Sequence, residues 1–118
     1  MNVFSQFFGP SVNQIEPLEA KTRLGRKPAP VLLDVRQPEE YRQAHISGAK
    51  LIPLGELSRR MKELPAKREI ICVCRSGNRS TTAARKLIAA GYEVSNLKGG
   101  MLNWSRQGLP VQKGSTGK

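Results

Sequence analysis

Residues 69–79 read Glu69-Ile70-Ile71-Cys72-Val73-Cys74-Arg75-Ser76-Gly77-Asn78-Arg79. The first five form a short apolar run rich in β-branched residues, the signature of a buried strand. From Arg75 the chain turns abruptly polar and reaches a glycine. Beyond the loop, Ala83, Ala84, Leu87 and Ile88 share one face of an amphipathic helix, with Gly91 placed to cap it. Strand, tight loop and helix in that order make one βα unit.

The same alternation extends in both directions. Ser11 to Ile15 reads as a short edge strand, and Pro17 opens a helix that runs to about Leu24 and ends at Gly25. Val31 to Val35 is a buried strand, followed by a short helix at Pro38-Glu39-Glu40-Tyr41, with carboxylates at the positive end of its dipole. Ala49 to Ile52 is a strand, and the spacing of Leu54, Leu57, Met61 and Leu64 predicts one helix stopped by Pro65. Tyr92 to Leu97 is the last strand, after which Gly99-Gly100 leads into a helix carrying Met101 and Trp104. The expectation is an α/β fold, a central parallel sheet of about five strands with helices on both faces. One domain spans residues 13–112, between an N-terminal arm, residues 1–12, and a polar tail, residues 113–118.

Bulk composition narrows the chemistry. At 118 residues, 38% hydrophobic and 25% charged, the chain can bury a core without staples. Its two cysteines, Cys72 and Cys74, are too close to bridge and form no secreted-type framework. Residues 1–10 lack a basic leader and a long apolar run. These features point to a cytoplasmic protein with no membrane partner. The net charge of +11 raises nucleic-acid binding, but the basic residues are scattered and lack interleaved aromatics. No nucleic-acid partner is expected. After residue 69 only Glu93 is acidic, against eight basic residues, so that half carries a positive field that draws small anions.

Cys74 stands where an open parallel sheet places its ligands, at the C-terminal end of a buried strand. The loop feeds a helix N-terminus whose N–H groups lack helical partners, so they can curl inward as an anion nest. Gly77 and Asn78 tolerate the backbone conformations such a curl needs. The sulfur is the anion in reach, and amides, helix dipole, Arg75 and Arg79 would lower its pKa. The only histidine, His45, is distant in sequence, so activation by a lowered pKa replaces a paired base.

The loop CRSGNRS (residues 74–80), with LLDVRQPEEY upstream, HISGAKLIPL after it and LKGGMLNW near the end, resembles the single-domain rhodaneses. These are sulfurtransferases of the thiosulfate type. The resemblance runs from about Ile15 to Val111. It implies that Cys74 is the catalytic cysteine and carries a persulfide between two half-reactions. Arg75, Ser76, Gly77, Asn78 and Arg79 are then the substrate-binding loop, with Arg75 and Arg79 orienting a small anionic sulfur donor such as thiosulfate. The acceptor is a thiol or cyanide, and a partner protein can serve as persulfide donor or acceptor. Neither half-reaction needs a cofactor or metal. The same resemblance makes Asp34 and Arg36 a structural pair.

Other residues read as structure. Cys72 is a core thiol, since two cysteines alone make a poor metal site. His45 makes a local hydrogen bond, Met101 and Trp104 pack the last helix, and Phe4, Phe7 and Phe8 form an arm. A persulfide-relay module is the alternative from another class. A cysteine phosphatase or arsenate reductase is disfavoured. Phosphatase loops of this kind place five residues between cysteine and arginine, whereas four separate Cys74 from Arg79.

Overall fold

The computed structural model describes residues 11–114. The Phe-rich stretch of the arm and residues 115–118 lie outside the described residues. Five strands, β1 (Asn13–Ile15), β2 (Val31–Asp34), β3 (Lys50–Leu51), β4 (Ile70–Val73) and β5 (Val94–Leu97), form one sheet in the order β1-β5-β4-β2-β3. Every pairing is parallel. β4 is central and buried at all four positions, as its unbroken apolar run requires.

The helices are α1 (Pro17–Leu24), α2 (Pro38–Gln43), α3 (Leu57–Arg60), α4 (Asn78–Ala89) and α5 (Gly100–Arg106). They cover both faces of the sheet. Ala20 of α1, Tyr41 of α2, and Met101 and Trp104 of α5 pack with Leu32, Ile71, Val73 and Leu97 on one side. Leu57 of α3 and Ala83, Ala84 and Leu87 of α4 pack with Leu33, Ile70 and Cys72 on the other. Proline opens α1 and α2, where its missing N–H costs nothing. In α2, Gln37 and Glu40 add a capping box.

One expected element differs. The segment from Leu54 to Glu63 is a 3₁₀ turn, a single α turn and a second 3₁₀ turn, not one regular helix. Leu57 alone reaches the core fully, while Leu54 and Met61 are partly buried. A single turn of α-helix cannot offer a continuous apolar stripe, and the segment is held by its anchor and by the Arg60–Glu56 and Arg60–Glu63 ion pairs. Strand β3 is likewise reduced to two residues at the sheet edge. Among the described residues, no helix is long and apolar enough to cross a membrane.

Candidate active site

Cys74 follows β4 directly, at the carboxyl edge of the sheet. α4 begins four residues later, so the chain must reverse within Arg75, Ser76 and Gly77. Gly77 makes this possible by adopting φ +108°, in the left-handed region, as N-cap of α4. Its N–H donates to Cys74 Sγ at 3.1 Å. The Ser80 hydroxyl, in the first turn of α4, donates to the same sulfur at 3.3 Å. The result is a ring of donors closed around the sulfur of a residue that is only 1% exposed.

The opposing effects on this thiol can be separated. Burial pushes its pKa up, while hydrogen bonds from the Ser80 hydroxyl and from the N–H groups of Ser80, Gly77 and Ser76 pull it down. The bonds win, and the Cys74 pKa lies below the ordinary cysteine value. Cys72, within β4 itself, has no such ring, and burial drives its thiol well up. The sequence points to the loop amides, the helix dipole and the two arginines; the amides are among the causes here, and the Ser80 hydroxyl is the one it does not single out.

The loop is also held from behind. The N–H groups of Met101 and Leu102 donate to the carbonyls of Cys74 and Arg75 at 2.8 and 3.0 Å, so α5 grips the loop through its own unpaired N-terminal amides. This approach needs Gly100: a Cβ there would lie 2.4 Å from the Cys74 carbonyl oxygen. The Gly99-Gly100 pair was legible only as the start of a helix.

The two arginines differ. Arg75 is exposed and makes no ion pair among the described residues. It lines a cavity of about 200 Å³ together with Arg36, Glu40, Met101 and Leu102. Arg79 forms a bidentate pair with Glu40 at 2.7 Å on both arms. Sequence reasoning assigned Arg79 to an anionic donor; in the structure its guanidinium faces a carboxylate on α2, a partner only the tertiary fold could supply. The Arg79 pair and the Gln37 N–H hold the Glu40 carboxyl down at about 2 against its burial. Ser76 and Asn78 are exposed at the rim, and Asn78 is the first residue of α4.

Asp34 and Arg36 form a buried ion pair at 2.8 Å, and Arg36 also donates to the carbonyls of Glu40 and Ala44. Both are thereby committed to structure. His45 is fully buried, stacks on Tyr41 with centroids 3.7 Å apart and bonds the Tyr41 carbonyl through Nδ1. It takes no part in the loop. Among the described residues, no cluster of His, Cys, Asp or Glu could hold a metal ion. A larger cavity of about 290 Å³, against Leu24, Trp104 and Pro110, shares no lining residue with the loop.

Comparison with known proteins agrees with this geometry. The family model described as a rhodanese-like domain matches residues 16–107. A sulfurtransferase of Allochromatium vinosum is 39% identical over 101 residues, covering 85% of this chain and 94% of that protein. A putative sulfur carrier protein of Bacillus subtilis is 47% identical over 75 residues, 63% of this chain and 40% of its own length. Among solved structures, a rhodanese-related protein from Thermoplasma volcanium superposes with TM-score 0.79 at 29% identity, covering 85% of this chain and 97% of its own. A thiosulfate sulfurtransferase from Pseudomonas aeruginosa gives TM-score 0.82 at 27% identity, over 92% of this chain and 21% of its own. Matched by the family model over most of its length, and by folds of the same kind, the chain belongs to the rhodanese-like family.

Proposed function

We propose that the protein is a sulfurtransferase that carries sulfane sulfur as a persulfide on Cys74. The observation that supports this most directly is the ring of donors around a lone sulfur, with the Gly77 N–H at 3.1 Å and the Ser80 hydroxyl at 3.3 Å. Such a ring stabilises thiolate without a neighbouring base, and thiolate is the nucleophile. In the first half-reaction the Cys74 thiolate attacks the outer sulfur of the donor. With thiosulfate the S–S bond breaks, sulfite leaves with the electron pair, and Cys74 holds an anionic persulfide. In the second, an acceptor thiolate or cyanide attacks the terminal sulfur and the Cys74 thiolate leaves. Charge balances in both steps, and no metal or cofactor is called on.

Arg75 is the group we assign to an anionic donor, because it is exposed and lines the cavity beside the loop. Arg79 contributes charge behind it while Glu40 holds its guanidinium. Ser76, Gly77 and Asn78 shape the mouth of the ring. The working location is cytoplasmic, in keeping with two cysteines that are both free thiols.

A second reading, relay of persulfide between proteins, is favoured by the nearly complete burial of Cys74 and by the likeness to a putative sulfur carrier. Incubation with thiosulfate, or with a protein persulfide, should add one sulfur atom's mass, removable by cyanide. Peptide mapping should place it on Cys74. Turnover with thiosulfate and cyanide favours the enzyme; loading from the protein donor alone favours the relay. Loading by neither would sink both readings.

A further inference from the structure

The Ser80 hydroxyl has one hydrogen and two acceptors. Its Oγ lies 3.3 Å from Cys74 Sγ and also in hydrogen-bond contact with Asn96 Oδ1. Asn96 is 2% exposed, and its Nδ2 donates at 2.8 Å to Oε1 of Gln14, its register partner on β1. Nδ2 also lies beneath the loop, 3.6 Å from where a Cβ on Gly77 would stand. A chain of polar atoms thus runs from the reacting sulfur through α4 and β5 to an exposed residue on the edge strand.

Only two arrangements satisfy this chain. When the sulfur is a neutral thiol, Ser80 can give its hydrogen to Asn96 Oδ1, and Asn96 Nδ2 then donates to Gln14. When the sulfur is a thiolate, the hydrogen belongs on the sulfur, because a bond to a charged acceptor is the stronger. Asn96 Oδ1 would then face the Ser80 lone pairs without a hydrogen between them. That buried contact is costly, and it is relieved if the Asn96 amide turns over and donates from Nδ2 to Ser80 Oγ. The Gln14 amide must turn with it and offer Nε2 to Oδ1.

We propose that Asn96 and Gln14 are positioning residues, whose amides reverse to aim the Ser80 hydrogen at Cys74 Sγ whenever that sulfur is anionic and away from it when it is not. The thiol proton leaves to water. Ser80 keeps its own hydrogen and rotates it, so no proton passes along the chain. Persulfide formation moves the negative charge from Sγ to the terminal sulfur and returns the chain to its first arrangement. The charged and titratable groups around the loop are Arg75, the Arg79–Glu40 pair, the Asp34–Arg36 pair and the buried thiol of Cys72. None of them hydrogen-bonds Ser80 or Asn96 among the described residues, so the chain adds an input separate from their fields.

The proposal rests on Cys74 as the nucleophile, but its test reads the thiolate directly and does not require sulfur transfer. In the native protein, the side-chain amide resonances of Asn96 and Gln14 should titrate together with Cys74, and the same resonances in Cys74→Ser should not. Amides that stay fixed through the Cys74 titration would overturn the idea. The rate of Cys74 alkylation across pH gives the second arm. As a carboxylate, Asn96→Asp can accept the Ser80 hydrogen but cannot donate, and it should cut alkylation near neutral pH at least tenfold. In a Ser80→Ala background the same change should cost less than about threefold. Equal losses in both backgrounds would mean simple charge repulsion and would also overturn it. If Asn96→Asp does not fold, the amide titration decides alone. Failure of sulfur loading with a positive titration would remove the proposed function and leave the switch standing.

Discussion

Cys72 lies within β4 and Cys74 two positions on, just past its end, and the fold treats them oppositely. Cys72 is closed in by β2, β5 and the α4 face, where burial first, and then the nearby Cys74 charge, raises its pKa. Cys74 has the strand's end and the loop's amides. Cys74→Ser should therefore abolish persulfide formation with the fold intact, as circular dichroism and mass gain on loading would show. Cys72→Ala should keep most activity and cost about 1 kcal/mol through a small cavity. Equal loss of activity in the two variants would count against a single-cysteine mechanism. At this scale Cys74 was legible because cysteine, glycine and two arginines crowd a strand-to-helix junction. Ser80 was not, although a signal existed: it stands at i, i+3, i+4 and i+7 with Ala83, Ala84 and Leu87, a polar residue on a buried face. A buried hydroxyl needs a partner, and its partners were the sulfur and Asn96.

Two elements hold the loop, α5 behind it and α2 beside it. α5 depends on Gly100 at φ +60°, with no room for a Cβ against the Cys74 and Arg75 carbonyls. Gly100→Ala should destabilise the protein by about 2–4 kcal/mol in denaturant titration, through left-handed strain and overpacking. Thiol reactivity should fall beyond what the lost stability explains, because Cys74 is carried by the same backbone. α2 contributes Glu40, which caps its own helix and pairs with Arg79. Because the folded carboxyl sits at about 2, below its ordinary 4.5, its contribution is present above pH 4.5 and is lost as pH falls toward 2. Glu40→Gln keeps the cap's acceptor and removes the charge. It should cost about 1 kcal/mol at pH 7, allowing for partial exposure, and the gap should close on acidification. An unchanged gap at low pH would mean that the pair contributes nothing through charge. Element boundaries followed local patterning for α1 and α4, where proline and glycine mark the ends. Residues 54–63 escaped because their apolar spacing fits one helix, whereas the chain there breaks into three short turns.

Across the whole molecule, the alternating βα pattern made the parallel sheet and its two helical layers legible, but not the strand order. β1 and β5 are 79 residues apart in sequence counting from Ile15 to Val94, and they meet through side chains as well as backbone: Asn13 donates to Ser95 and Asn96 donates to Gln14. Such long-range pairing leaves no periodic trace. Charge distribution was legible and has a consequence for the reaction. Eight basic residues against Glu93 follow residue 69, and of these Arg79 and Lys98 are paired with Glu40 and Glu16. The remainder supply a field that acts over a distance set by the ionic strength, about 8–10 Å near physiological salt. The second-order rate constant for thiosulfate should accordingly fall as salt rises, by about threefold or more between low and several hundred millimolar salt. Transfer from an uncharged persulfide donor should change little. Arg75→Ala should lower the thiosulfate rate and flatten its salt dependence, since it removes the exposed charge nearest the ring. Aryl phosphates separate this field from the ring itself, because they are drawn by the same charge but need a wider loop. With four residues between Cys74 and Arg79, the native protein should bind them weakly and hydrolyse none. One residue inserted between Gly77 and Asn78 should carry the Gly77 N–H off the sulfur, lowering thiol reactivity and persulfide loading together. Hydrolysis of phosphate esters through Cys74, without sulfur uptake from any donor, would mean that the ring is built for a tetrahedral anion and that the sulfur-transfer reading is wrong.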